Sequence, residues 1–188
     1  INLIYLYNKK VMKDLIKRIL KEETSKPKRM DVNSLISTQN FWDWLRYHEG
    51  SIKQKGEPML KTYKDSVGVN TIGYGHTGQY AKSGNSITKE KANQLFIKDV
   101  NEAADCVKRF LKEWKDQNVK GQYLKQNEYE ALISLVFNSG CQGVRESKFI
   151  QKIKYGKYDE GAEMIKDYKS DGLENRRESE YELFKNGN

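Results

Sequence analysis

Apolar residues recur along this chain at several spacings, and each spacing predicts an element. Met12, Leu15, Ile16, Ile19 and Leu20 fall at i, i+3, i+4, i+7 and i+8, one stripe of a helix whose other face is filled by lysines and Arg18. The stretch Glu22–Arg29 has no period, and Pro27 ends any helix. Residues 1–36 therefore read as a basic amphipathic helix and linker ahead of a domain spanning 37–188. Phe41, Trp44, Leu45 and His48 predict a short helix over 39–48, with Thr38 as its N-cap and Gly50 as its C-terminal stop. Between 59 and 75 the pattern changes. Leu60, Tyr63, Val67, Val69, Ile72 and Tyr74, interrupted by Gly68, Gly73 and Gly75, predict a β-hairpin turning at Asp65–Gly68.

From Thr88 the helical period returns through Ala92, Leu95, Phe96, Val100, Ala103, Ala104, Val107, Phe110 and Leu111, capped by Thr88. Ala131–Phe137 marks a strongly apolar, buried helix over 126–140, and three short helices follow at 146–155, 158–168 and 173–185. Helices flanking one small sheet make an α+β chain, mostly α. The reading is two-lobed: a small lobe at about 50–87, a connecting helix at about 88–112, and a helical lobe at about 113–188 packed with helix 39–48. A cleft between lobes is where a site is expected.

Composition narrows the function. The chain has 188 residues and a net charge of +8, so one domain with an appendage is expected. No apolar run is long enough to span a membrane, and no apolar segment with a small-residue cleavage site marks a secretory leader. Met12, which opens the amphipathic stripe, is a candidate translation start. The charge is uneven. Residues 1–31 hold nine Lys/Arg against four acids, and the remainder holds 25 against 22. The basic extension is read as a docking or surface-binding element for an anionic partner, set against a merely solvated helix. Nucleic acid is not the expected partner, because there is no Cys/His finger and no basic–aromatic interleaving. Two cysteines and two histidines offer no metal set, and no cofactor is expected. Cys106 and Cys141 read most simply as free, buried small hydrophobes; a disulfide between them is not deducible from the sequence.

Three polar residues carry the candidate chemistry. Glu49 ends the first short helix, where the helix dipole and the aromatic neighbours Trp44 and Tyr47 both favour its neutral form, as a general acid requires. Asp65, in a hairpin turn, is expected to be more hydrated and ionised. Two carboxylates in contrasting environments suit the acid and partner roles of glycoside hydrolysis. Thr71, six residues on, is expected near the same point, where its hydroxyl would orient a water.

The local sequence adds a resemblance. Glu49-Gly50 followed by Tyr63-Lys64-Asp65-Ser66-Val67-Gly68-Val69-Asn70-Thr71-Ile72-Gly73-Tyr74-Gly75-His76 closely resembles the active-site signature of phage-type lysozymes, a muramidase family of glycoside hydrolases. The stretches Ile87–Val100, Ala131–Gly140 and Gly172-Leu173-Glu174-Asn175-Arg176-Arg177 are similar to later parts of the same family, so the likeness spans about 39–186. It implies a lysozyme-like two-lobed fold, a monomeric catalytic unit, and hydrolysis of the β-1,4 bond between N-acetylmuramic acid and N-acetylglucosamine in bacterial peptidoglycan. It implies Glu49 as general acid, Asp65 as partner carboxylate and Thr71 as a holder of water. It further implies Arg176 beside the catalytic Glu, Asn138 on the substrate cleft, His76 as a brace of the small lobe through an acid, and Tyr74 as a supporting or substrate-binding residue.

The chain departs from the family at one place. The interval from Glu49 to Asp65 is 16, so Ser51–Lys61 contains an insertion. About seven extra residues are tolerable, because loop-closure entropy grows slowly with length. An inverting mechanism is expected. A lytic transglycosylase and a non-catalytic wall-binding virion component remain as alternatives. Made in the host cytoplasm, such an enzyme would reach the wall through a holin-type pore or on a virion, and residues 1–31 would dock on a virion protein or an anionic envelope surface.

Overall fold

A computed structural model describes residues 12–13, 17, 28–50, 55–65 and 68–187. The basic helix expected over 12–20 lies largely outside the described residues; Met12, within them, is 58% exposed. The expected boundary at 36/37 falls inside packed structure. Strand β1 (Met30–Asp31) pairs antiparallel with β5 (Tyr123–Leu124), and Val32 and Leu35 are buried in the main core. Arg29 grips Glu128 at 2.6 and 3.1 Å and stacks on Tyr158, while Asp31 pairs with Lys115. The folded unit thus begins by Arg29, because two apolar side chains of the supposed linker complete the core.

Helix α1 (Gln39–Glu49) starts where Thr38 accepts the Phe41 N–H, leaving one fewer orphan donor in the first turn. It buries Phe41 and Leu45. Its start is tied to the large lobe, since the Thr38 N–H donates to Glu130 at 2.8 Å. Gly50 ends the helix, though not as a left-handed cap: its φ is −67°. A Cβ there would meet the Gly56 backbone at 2.8 Å, so glycine is required because the chain passes itself at that point. Gly50 and Gly56, on either side of residues 51–55, thus lie against each other. Next to them, Glu57 pairs with Lys89 and the Tyr74 hydroxyl donates to the Gly56 carbonyl.

The small sheet runs β2 (Met59–Lys64), β3 (Asn70–Gly73) and β4 (His76–Thr77), all antiparallel, with Tyr63 opposite Thr71 and Ile72 opposite His76. Helix α2 (Lys89–Asp116), capped by Thr88, is 28 residues long, roughly 42 Å at the α-helical rise. Its apolar stripe contacts the sheet at one end and the large lobe at the other. Helix α3 (Gln126–Ser139) is buried along Glu128–Val136, as its apolar run predicts. Around it lie α4 (Cys141–Arg145), α5 (Lys148–Lys154), α6 (Tyr158–Ile165) and α7 (Glu174–Asn186). The four-residue-scale pattern that marks longer helices is absent from α4, which the sequence reading missed, as it did the β1–β5 pair.

The cysteines are not free. Cys106 of α2 and Cys141 of α4 form a disulfide across a Cα separation of 6.0 Å. The sequence separation of 35 hides a juxtaposition that only the packing of α4 onto α2 creates. Cross-linking a loop of that length stabilises by roughly 3–4 kcal/mol. The Cys106→Ser/Cys141→Ser protein is expected to melt on the order of 10 °C below the oxidised protein in a calorimetric scan. Equal melting temperatures would show that the cross-link adds nothing.

Candidate active site

Glu49 sits at the last turn of α1, 13% exposed at its side chain, beside the sheet and against α7. Arg176 Nη2 lies 2.6 Å from its Oε1. On the Oε2 side lies the backbone of Gly75, where a Cβ would stand 3.5 Å away in ordinary contact; Gly75 adopts φ +93°. That left-handed backbone, rather than any shortage of space, favours glycine there. Burial pushes the Glu49 carboxyl above the usual carboxylate range, with the Arg176 charge opposing part of that rise. Tyr47, one of the aromatic neighbours expected to enclose Glu49, is itself half exposed, and the charged groups acting on Glu49 are Arg176, Glu180 and Arg177 of α7.

Asp65 follows β2 and forms the first corner of the hairpin. Its N–H donates to the Val69 carbonyl at 3.0 Å, and its Oδ1 accepts the Val69 N–H at 2.8 Å. Asp65 and Glu49 line one cleft of about 840 Å³, together with Tyr63, Asn138, Arg176 and Lys55. Tyr63 is pushed above its ordinary range, first by burial and then by the facing charges of Glu49 and Asp65. His48 is pulled down to about 4, mainly by burial and then by Arg176, so its ring is neutral at pH 7. Lys55, carried by the insertion, donates to the Tyr47 hydroxyl at 3.2 Å on the rim.

The other expected residues take distinct places. Thr71 is 3% exposed and does not line the cleft. Its hydroxyl donates to the Val69 carbonyl at 3.2 Å, the same carbonyl that accepts from Asp65 N–H. It therefore stands behind the Asp65 turn rather than on the cleft surface. Asn138, exposed, lines the cleft, with its Oδ1 accepting from Arg177 at 2.7 Å. His76 Nδ1 lies 2.8 Å from Asp99 Oδ2, joining β4 to α2. Burial raises the Asp99 carboxyl, with His76 opposing. Tyr74 is buried against Phe96 and reaches the Gly56 carbonyl, so it supports the lobe and does not face the cleft.

Behind Glu49 lies a buried charge network that the sequence reading did not identify. Glu180 is wholly buried. Its Oε1 accepts from Arg176 Nε at 2.9 Å and from Ser134 Oγ at 2.7 Å, and its Oε2 pairs with Arg177 Nη1. The signal available in the sequence is the i, i+4 interval from Arg176 to Glu180. It looks like any exposed helical ion pair until α3 covers it. A second cavity, about 590 Å³, is lined by Gly75, the neighbour of Glu49, and by Phe137 and His76, and reaches the Cys106–Cys141 disulfide. Among the described residues no group of three or more His, Cys, Asp or Glu is placed to hold a metal ion.

Comparison with known proteins gives this geometry a family. Residues 54–180 match the phage lysozyme family, and the endolysin of Salmonella phage P22 is 33% identical over 141 residues, covering 70% of this chain and 90% of that protein. The chain belongs to the phage lysozyme family. An endolysin of Bacillus phage B103 is 34% identical over 123 residues, which span 62% of this chain and 43% of that longer protein. The solved structure of an endolysin from Escherichia coli O157:H7 phage FAHEc1 superposes with a TM-score of 0.65 at 27% identity, covering 82% of this chain and 96% of that one. The two-lobed, mostly helical fold is thus that of a phage lysozyme, and the protein is a lysozyme-type glycoside hydrolase. Glu49 precedes the family-matched residues by five positions. The insertion separates it in sequence from the rest of the signature, and the fold of α1 against α7 returns it to the cleft.

Proposed function

We propose that this lysozyme hydrolyses the β-1,4 bond between N-acetylmuramic acid and N-acetylglucosamine, with Glu49 donating a proton to the leaving oxygen. The observation that carries this reading is Glu49 itself: a carboxyl largely enclosed, held against Arg176 and raised in pKa, in one cleft with Asp65. A carboxyl raised above its ordinary range by burial and a second carboxylate in a hairpin turn on the same cleft can divide the labour of glycoside hydrolysis. One cavity lined by Glu49 and another lined by its neighbour Gly75 suit an extended glycan rather than a small ligand. Asp65 activates water in an inverting displacement, which needs roughly 6.5–9.5 Å between the carboxyls. Thr71 serves by holding the Val69 carbonyl that closes the Asp65 turn. Asn138 contributes its amide N–H groups to the cleft, its oxygen being engaged by Arg177.

None of the described helices is long and apolar enough to cross a membrane. The disulfide fits work on the oxidising, wall side of the membrane. We read the protein as an endolysin released through a holin-type pore; its presence in purified phage particles would assign it to the virion instead. Digestion of purified peptidoglycan decides the chemistry. Mass spectrometry is expected to show reducing muropeptide ends, and NMR of the first products an α-anomer. Anhydro ends would identify a transglycosylase, and a β-anomer a retaining enzyme.

A further inference from the structure

Arg176 is shared between two carboxylates, and only one of them faces the cleft. Its Nη2 is 2.6 Å from Glu49 Oε1, and its Nε is 2.9 Å from Glu180 Oε1. A guanidinium is planar, so fixing the Nε edge fixes where Nη2 points. Glu180 is itself immobilised. Ser134 of α3 donates to the same oxygen, and Arg177 pairs with the other. Arg177 is in turn anchored by the Tyr168 carbonyl and by Asn138 and Ser139 at the end of α3. An arginine side chain with four rotatable bonds is thereby held at one position beside the catalytic acid, from behind, by a group with no access to substrate.

We propose that Glu180 is a positioning residue for the hydrolytic site, holding Arg176 in place and taking up guanidinium charge that would otherwise fall on Glu49 alone. The proposal rests on the reading of Glu49 as general acid. An arginine beside a general acid is double-edged: it orients the carboxyl, but its charge favours the ionised form, which cannot donate a proton. A second carboxylate on the far edge of the same guanidinium keeps the orientation and offsets the charge. The groups facing Glu49 are Arg176, Arg177 and Glu180 from α7, Tyr63 and Asp65 from β2 and its turn, and His48 from α1. His48 is neutral at pH 7 and Tyr63 is neutral, so the charges acting on Glu49 are those of Arg176, Arg177 and Glu180, with Asp65, Lys55 and Glu174 lining the same cleft. Glu180 raises the Glu49 carboxyl, in the direction the proposal needs.

The test is the pH dependence of kcat/KM on a soluble peptidoglycan oligosaccharide, whose alkaline limb reports the acid in the free enzyme. Glu180→Gln keeps the shape and removes the charge. Its alkaline limb is expected to move about one pH unit toward acid. The rate at pH 7 is expected to fall about tenfold, mainly in kcat. Glu180→Asp, which retains the charge, is expected to bring the limb back toward the wild-type position. If Glu180→Gln does not fold, the charge-balanced Glu180→Gln/Arg177→Gln protein replaces it. Its limb is expected to move in the same direction by less, because Glu180 acts on Glu49 more strongly than Arg177 does. A limb that overlays wild type in the folded variant, whatever the loss of rate or stability, overturns the proposal. Glu49→Gln in the same assay separates the two failures. If it is inert while the Glu180 limb is unmoved, only the positioning role falls; if it remains active, the assignment of Glu49 falls with it.

Discussion

Glu49→Gln is expected to lower peptidoglycan clearing by at least about a thousandfold, the upper part of the range for a general acid. Glutamine matches the carboxylate in shape and carries no acidic proton. Binding should survive, because Asn138, Lys55 and Tyr63 remain on the cleft walls. Folding should survive as well. The substitution removes a buried carboxyl whose charged form is penalised by burial, and Arg176 keeps its contact with Glu180. The loss should therefore appear in kcat with KM little changed, the signature of an interaction made only in the transition state. In wild type, activity should persist to higher pH than an ordinary glutamate would allow, since burial makes the raised carboxyl hold its proton more strongly. Turbidity clearing of purified peptidoglycan across pH 4–9 measures both quantities. Wild-type clearing by the Glu49→Gln protein would end the assignment.

The largest effect on stability is expected at Arg177. It is wholly buried, and its guanidinium serves Glu180, the Tyr168 carbonyl, Asn138 and Ser139 at once. Arg177→Met keeps much of the volume and removes every one of those donors. Glu180 then faces Arg176 and Ser134 alone, and the Tyr168 carbonyl loses its side-chain donor. Breaking a buried pair from one side costs about 3–5 kcal/mol. For a chain of this size that is roughly a 10 °C fall in melting temperature. The same substitution in a Glu180→Leu background should cost much less, because no uncompensated charge is left behind. Urea denaturation of the two single variants and the double measures the coupling. Additive losses would show that the Arg177–Glu180 pair contributes nothing specific.

Much of the architecture was readable from local pattern. Helices α1, α2, α3 and α7 and the hairpin stand within a few residues of the ranges that periodicity, Thr38 and Thr88 predict, because each amphipathic stripe has one place to bury. The shortest elements were not. Helix α4 has five residues, and β1 and β5 have two each, too few for a period to appear. Gly50 shows a related limit. Its place at a helix end suggests a cap, whereas the demand for glycine comes from Gly56, brought against it by a loop whose path local sequence does not encode.

The site divides along the same line. By itself, the sequence determined the chemical inventory: a carboxylate at a helix end, a second in a tight turn, an arginine and an asparagine in recognisable strings. These depend on residue identity and short-range spacing, which the chain states directly. Tertiary structure alone decided what each group experiences. It drew Glu49 back across a sixteen-residue interval to Asp65 and set Thr71 behind the turn instead of in the cleft. It joined Cys106 to Cys141 and buried Glu180 behind Arg176. Burial, charge partnership and cross-linking are properties of pairs distant in sequence. Their energies fall off within a few ångströms, so they come into being only when packing closes those distances.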